Sequence, residues 1–439
     1  MWFPALADLV AANDELVDFV EFEPVTRLAA TPDVGKPVVV HGVTCAVGGS
    51  VPPAYADMRA LADVAARVDS PWVSDHLSVN RFESDVDTGF FLPPAQTSDA
   101  VAVAARNIRA LRQVVRRPVA FETGVNYLRP RENQLPDGDF FAAVAEAANC
   151  LILCDVHNLW CNERNGRQPV LDVVAALPAD RVCELHLAGG EEHGGYLLDA
   201  HSGTIDPELV ELAIEVASRL PHLRAVTFEL IPDYVGPNGI DAAVLGDQLR
   251  QLHRIWAARG SRAPAPLRAA PSVVRGAASA WERELESAVR GPVAAGVLAA
   301  DPAIPVYREL IGAVQRGNVV TALPLTYRLL VLMTGVAATD ELLDGYVAAH
   351  PPHAWAYDEA RQFQSFAEGV DCPHLAEVLA FELGAYEAVV TGERVRVRFT
   401  CEPHGLLDAL RAGTPPDVVP GSYEIVVEPP RQAGGRKAD

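Results

Sequence analysis

The chain has 439 residues, 49% of them hydrophobic and 21% charged, the composition of an ordinary globular protein with room for two domains, one of them barrel-sized. Its 36 Lys and Arg stand against 58 Asp and Glu, a formal charge of −22, and no long basic block interrupts that balance. Phosphate binding relies on concentrated positive charge, so nucleic acid and anionic membrane surfaces are poor partners, while a neutral or cationic peptide is compatible.

The opening MWFPALADLVAANDELVDFVEFEP lacks a basic leader before an apolar core and does not read as a signal peptide. No later run reaches the roughly 20 apolar residues of a membrane-spanning helix, so a soluble, cytoplasmic protein is expected. From there to about Trp256, short β-rich runs alternate with Ala- and Leu-rich helical ones. Strands are expected over 17–23, 37–41, 71–76, 118–122, 151–156, 182–187 and 225–231, and helices over 56–68, 98–116, 140–149, 170–178 and 207–220. That order predicts an α/β fold, a TIM-like (β/α)8 barrel over 1–257 with seven strands placed and an eighth unplaced. No glycine-rich phosphate loop follows an early strand, which argues against a nucleotide site.

Residues 258–275, ARGSRAPAPLRAAPSVVR, lack an apolar period and read as a linker. A mainly helical second domain is expected over 276–430, with helices at 277–291, 305–318, 321–334, 339–349, 354–368 and 374–391. The apolar period then switches to two: 394–400 and 422–428 read as strands around a short helix at 405–411, and 431–439 as a disordered tail. The seven cysteines form no CxxC pair and are too scattered for a disulfide framework.

Six of the strand-like runs end in a side chain able to bind metal: His41 in VVVHGV, His76 in WVSDHL, Glu122 in VAFETG, Asp155 in LILCDVHN, His186 in CELHLAGG and Glu229 in VTFELI. Parallel barrels gather their chemistry at the carboxyl ends of their strands, so these six residues would meet on one rim. Any one histidine alone reads as a core or turn residue hydrogen-bonded to backbone. Three of them, each closing a separate β-run, point to metal ligation. A carboxylate buried behind Phe121 or Phe228 must meet a cation, either a metal or an arginine such as Arg181 or Arg224. Asp199 and His201, two apart in LLDAHSG, can chelate one ion or bridge two, or can belong to a solvated loop. His157 and Asn158, beside Asp155, are additional or supporting candidates.

The series HGV, SDHLS, FETGVNYL, DVHNLW, ELHLAGG, DAH and FELIP resembles the multinuclear non-heme iron-dependent oxidative enzymes, the family that includes the methanobactin-maturation oxidase, over most of residues 15–245. The resemblance implies a TIM-like barrel holding two or three irons that uses O2 to modify a residue of a ribosomally synthesised precursor peptide. It places the iron ligands on His41, His76, Glu122, Asp155, His186, Asp199, His201 and Glu229, with Asn158 as a further ligand or an orienting group. Two departures stand out: the family commonly has Asn where this chain has His157, and a histidine where this chain has Gly190. The C-terminal half, as in AHPPHAWAYDEARQFQSFAEG, is similar to the partner proteins that present the precursor peptide to such barrels, so a separate partner protein is unnecessary if the two are fused. The other readings are a divalent-metal sugar isomerase or phosphodiester hydrolase on a xylose-isomerase-like barrel, and a non-catalytic binding scaffold. The charge of −22 disfavours the nuclease, and the lack of a clear catalytic Lys at the strand ends disfavours the isomerase.

Overall fold

A computed structural model describes residues 1–24, 31–236, 239–261, 277–290, 296 and 298–429. Seven short strands lie side by side, all parallel and in chain order: β1 Val20–Phe22, β2 Val38–Gly42, β3 Val73–His76, β4 Val119–Glu122, β5 Leu151–Asp155, β6 Val182–Leu187 and β7 Ala225–Phe228. Side chains alternate across a strand, and the alternation separates two cores. Val38, Val40, Val73, Val119, Phe121, Ile152 and Phe228 join the large core under the helices. Val39, Trp72, Ala120, Leu153 and Ala225 form a smaller cluster of their own. Val39, Ala120 and Leu153 stand two residues before His41, Glu122 and Asp155, so the same inward row that is apolar at one end becomes ligand-bearing at the other.

Among the described residues the TIM-like barrel has seven hydrogen-bonded strands, the seven placed from the sequence. Among the described residues β7 does not pair with β1, and the first two residues of the chain stand between them. The Met1 ammonium donates to the Phe228 carbonyl at 2.8 Å, while the Trp2 N–H donates to the Glu21 carbonyl at 2.6 Å and Trp2 bridges Phe22 in parallel. So short and irregular a segment carries no strand periodicity.

Helices Tyr55–Arg67, Ser98–Val115, Asp137–Ala148, Val170–Ala176, Pro207–Ser218 and Ala242–Ala258 follow the strands. Three begin on a side-chain oxygen that accepts from an otherwise unpaired N–H, namely Thr97, Asp206 and Asp241. Helix Asp137–Ala148 is pinned at its start by buried Arg167, which donates to Asp137 Oδ2 at 3.1 Å, to the Leu128 carbonyl at 2.6 Å and to Gln96 Oε1 at 3.0 Å.

Packing divides the chain into Met1–Asp85 with Phe91–Val306, and Val86–Phe90 with Tyr307–Asp439. Helix Ala278–Arg290 therefore packs with the barrel and not with a domain beginning at 276: Ala278 N–H donates to Asp99 at 2.9 Å, and the Trp281 indole to the Pro93 carbonyl at 3.2 Å. Of the expected linker, 262–275 lies outside the described residues, as does the expected tail 431–439. The second unit contains helices Pro324–Thr334, Val336–Ala349, Ala356–Ala367, Leu375–Thr391 and Pro403–Ala412, with strands β8 Val395–Cys401 and β9 Pro420–Val427 paired antiparallel. Tyr346, Phe363 and Phe399 are fully buried in its core. Among the described residues no single helix is long and apolar enough to cross a membrane. All seven cysteines are free and buried.

Candidate metal centre

The end of each inward row delivers one polar side chain to the same rim. His76, Glu122 and Asp155 close β3, β4 and β5, His41 and His186 stand one residue from the ends of β2 and β6, and Glu229 directly follows β7. Register makes them level: His76 faces Glu122, and Asp155 faces His186, as direct neighbours across the sheet. All six predicted strand-end residues converge.

Two groups of donor atoms form there, each within 4.8 Å of one another: His41, His76 and Glu122, and Glu122, Asp155, His186 and Glu229. Glu122 Oε2 lies 3.3 Å from His41 Nε2 and 3.0 Å from His76 Nε2, and Glu122 Oε1 lies 3.8 Å from His186 Nδ1. His186 Nδ1 is also 3.2 Å from Glu229 Oε1. Among the described residues neither Glu122 nor Glu229 is paired with an arginine; Arg181 donates instead to Asn149 Oδ1. The loop pair Asp199 and His201 arrives at the same place, with His201 Nε2 at 3.1 Å from Asp199 Oδ1 and 3.4 Å from Glu229 Oε2.

Each of the three strand-end histidines is held by its other ring nitrogen. His41 Nδ1 meets Ser74 Oγ at 2.9 Å, His76 Nδ1 meets the Gly42 carbonyl at 3.2 Å, and His186 Nε2 meets Glu21 Oε2 at 3.1 Å. Such contacts fix the ring and leave the opposite nitrogen to bind an ion. Phe91 stacks on His76 with ring centroids 3.6 Å apart. Behind His186, Glu184 takes hydrogen bonds from the Trp72 indole and the Thr227 hydroxyl, each at 2.9 Å.

Asp155 serves twice. Its Oδ1 accepts from the Asn158 N–H at 2.7 Å and starts helix Val156–Arg164, while Asn158 Nδ2 donates to Asp155 Oδ2 at 3.0 Å and reaches Glu122 Oε1 at 3.4 Å. His157 lies in the first turn of that helix, fully buried, with Nε2 3.7 Å from Asp199 Oδ1 and 3.5 Å from Cys161 Sγ. A Cβ on Gly190 would come within 2.9 Å of His157 Cε1, and one on Gly189 within 1.6 Å of the Ser202 carbonyl oxygen. Only glycines at 189 and 190 let the 199–202 loop and His157 close over the rim. The Asp199 N–H is fixed by donating to Tyr127 Oη at 3.0 Å.

The donor set fits a metal on two counts. Glu122 Oε2, His186 Nδ1, Asp199 Oδ1, Glu229 Oε2 and Asn158 Oδ1 are buried without a hydrogen bond of proper geometry. Buried polar atoms are almost always satisfied, so atoms this close that do not bond to one another face a common centre. The charges agree. Burial disfavours an imidazolium at His41, yet adjacent Glu122 and then Glu21 push it up to about 10. Burial likewise opposes charge at Glu122, but His76 and His41 hold it well below the usual carboxylate range. Asp155 is pushed well above that range by burial and by Glu122, Glu229 and Asp199. Carboxylates this crowded call for cationic compensation, which protons on the histidines or metal ions supply.

Glu21 and Glu184 were not anticipated. Both sit in strands and point inward, where an acidic residue in an apolar alternation reads as the solvent side; the i, i+2 pair Glu21 and Glu23 was the available signal.

Residues 19–233 match the family described as RiPP precursor modification enzyme MbnB/TglH/ChrH. A UPF0276 protein of Anaeromyxobacter sp. (strain Fw109-5) is 33% identical over 207 residues, 46% of this chain and 71% of the relative. A UPF0276 protein of Pseudomonas aeruginosa is 30% identical over 243 residues, 52% of this chain and 84% of the relative. Among solved structures, D-allulose 3-epimerase from Methylomonas sp. overlays with a TM-score of 0.40 at 12% identity, covering 58% of this chain and 91% of that one.

Proposed function

The chain belongs to the family of RiPP precursor modification enzymes described as MbnB/TglH/ChrH, and from that premise we propose that its barrel is an iron- and O2-dependent oxidase acting on one residue of a ribosomally synthesised precursor peptide. The observation that carries this reading is the buried set of histidine and carboxylate donors left unsatisfied toward a shared centre. His41, His76 and Glu122 would hold one ion, Glu122, Asp155, His186 and Glu229 a second, and Asp199 and His201 a third or an edge of the second. Nitrogen and carboxylate oxygen donors without a thiolate suit non-heme iron, which when bound supplies redox chemistry with O2 and Lewis acidity toward a substrate side chain.

The chain's own residues do the rest. Ser74, the Gly42 carbonyl and Glu21 keep the three imidazoles aimed, Asn158 braces Asp155 against Glu122, and Phe91 covers His76 on one face. In the second unit, the outer edge of β9 is unpaired among the described residues, and a peptide leader adding there as a further strand would tether the substrate to the same chain. A cytoplasmic, peptide-modifying enzyme of this kind needs no separate presenting protein.

Anaerobic purification followed by metal analysis tests the reading. Two or three irons per chain, with O2 consumed in step with mass change of a precursor peptide, are expected. Zinc or manganese alone favours the isomerase or hydrolase, and a metal-free protein favours the scaffold.

A further inference from the structure

The second unit carries a cluster unrelated to the barrel rim. His374, Glu377 and Cys401 come from the start of helix Leu375–Thr391 and the end of β8, and their donor atoms lie within 4.8 Å of one another. We propose that these three residues bind a zinc ion, with water in the fourth position, and so clamp the beginning of that helix to the end of the strand. The inference does not depend on the function assigned to the barrel.

Geometry argues for an ion over a hydrogen-bonded trio. His374 Nδ1 is 3.4 Å from Glu377 Oε2 and 3.4 Å from Cys401 Sγ, and Cys401 Sγ is 3.8 Å from Glu377 Oε2. Tetrahedral zinc with its usual nitrogen, oxygen and sulfur bond lengths of about 2.0–2.3 Å sets such donors about 3.4–3.6 Å apart. The observed sides of 3.4, 3.4 and 3.8 Å lie within about 0.2 Å of that triangle. As hydrogen bonds the contacts are weak: the nitrogen–oxygen separation of 3.4 Å exceeds the usual range of about 2.7–3.2 Å, and the other two involve a thiol, a poor donor. Both contacts to His374 fall on Nδ1, so the trio is not a nucleophile, base and orienter relay, which needs both ring nitrogens.

The ligands are also held. Glu377 Oε1 accepts from the Thr400 N–H at 2.8 Å and from the Thr400 hydroxyl, which leaves Oε2 for the shared centre. His374 adopts a left-handed backbone at φ 66°, an uncommon state for a residue with a side chain. Cys401 is 1% exposed, whereas the His374 and Glu377 side chains are 23% and 14% exposed, so the triangle opens to water on their side only. One thiolate, one imidazole and one carboxylate select zinc over the harder divalent cations.

Cobalt(II) added to chelator-treated full-length protein tests the site. A thiolate-to-metal charge-transfer band should appear, should bleach on addition of zinc, and should be absent in Cys401→Ser but retained in Glu122→Ala, which alters only the barrel centre. Glu377→Gln keeps the shape and the Thr400 contacts and should weaken cobalt binding without unfolding the unit. A band of undiminished intensity in Cys401→Ser, unchanged cobalt affinity in Glu377→Gln, or no thiolate band in the parent protein overturns the proposal.

Discussion

His157 occupies the space that a side chain at position 190 would fill: its Cε1 stands 2.9 Å from where a Cβ on Gly190 would lie. An imidazole from the start of a helix thus fills the space beside the loop after β6. It reaches Asp199 at 3.7 Å and is held neutral by burial. At that distance it is placed to support Asp199 and not to bond it, and we take it as a supporting group. His157→Asn should therefore weaken iron retention by about 10–100-fold while leaving the number of irons at saturation unchanged. Chelator competition at fixed iron distinguishes this from loss of a ligand, which would lower the saturating stoichiometry by one.

Glu122 faces all three strand-end histidines. Glu122→Ala should lower iron content and abolish peptide oxidation together, whereas Asp199→Ala and His201→Ala should cost the loop's share of the metal and leave the His41 and His76 position filled. Full iron occupancy in all three variants would refute the ligand assignment.

Removing the metal should make the barrel alkali-sensitive. His41 is raised in the fold from 6.5 to about 10, and His186 and His201 are also raised well above 6.5, in each case by carboxylates that outweigh burial. A group whose folded pKa is raised contributes stability that is complete below its unfolded pKa and is lost as pH rises through the folded value. The metal-free protein should lose urea resistance progressively between about pH 6.5 and 10, while the loaded protein, whose imidazoles are deprotonated by ligation, should not share that slope. Equal slopes would show that the imidazoles are not paired as described.

Arg167 and Asp137 are both buried, with side-chain exposures of 3% each. Arg167→Ala strands the Asp137 carboxylate and should cost about 3–5 kcal/mol, read as a shift of the urea midpoint. Because Arg167 touches none of the metal-facing residues, iron per folded chain should not change.

If the free edge of β9 takes the peptide leader, backbone amides of Pro420–Val427 should exchange more slowly with solvent deuterium when the leader is added, with little change in the barrel strands. Protection confined to the barrel would place peptide recognition elsewhere.

The convergence of the six strand-end residues was legible because each is a single polar residue after an apolar run, a pattern that costs too much in a buried strand without a partner. The supporting carboxylates were not: Glu21 and Glu184 lie inside strands, where alternation alone cannot tell a solvent face from a barrel interior. The gap between β7 and β1 escaped for a different reason, since Met1 and Trp2 fill it with two backbone contacts and no period. Helix Ala278–Arg290 was given to the second domain because it follows the proline-rich stretch, yet Asp99, Ser50 and the Pro93 carbonyl hold it to the barrel. Sequence distance from a linker says nothing about which core a helix joins.

Glu122 and Glu229 each spend one oxygen on His186 and the other on a different histidine, His41 and His76 for the first and His201 for the second. An ion on one side of the rim displaces the protons of its own histidines, and the far oxygen of a shared carboxylate is then met by the imidazolium on the other side or by a second ion. If both sides hold iron as proposed, the two positions are coupled through these carboxylates: an ion lost from one side changes the charge the other must meet.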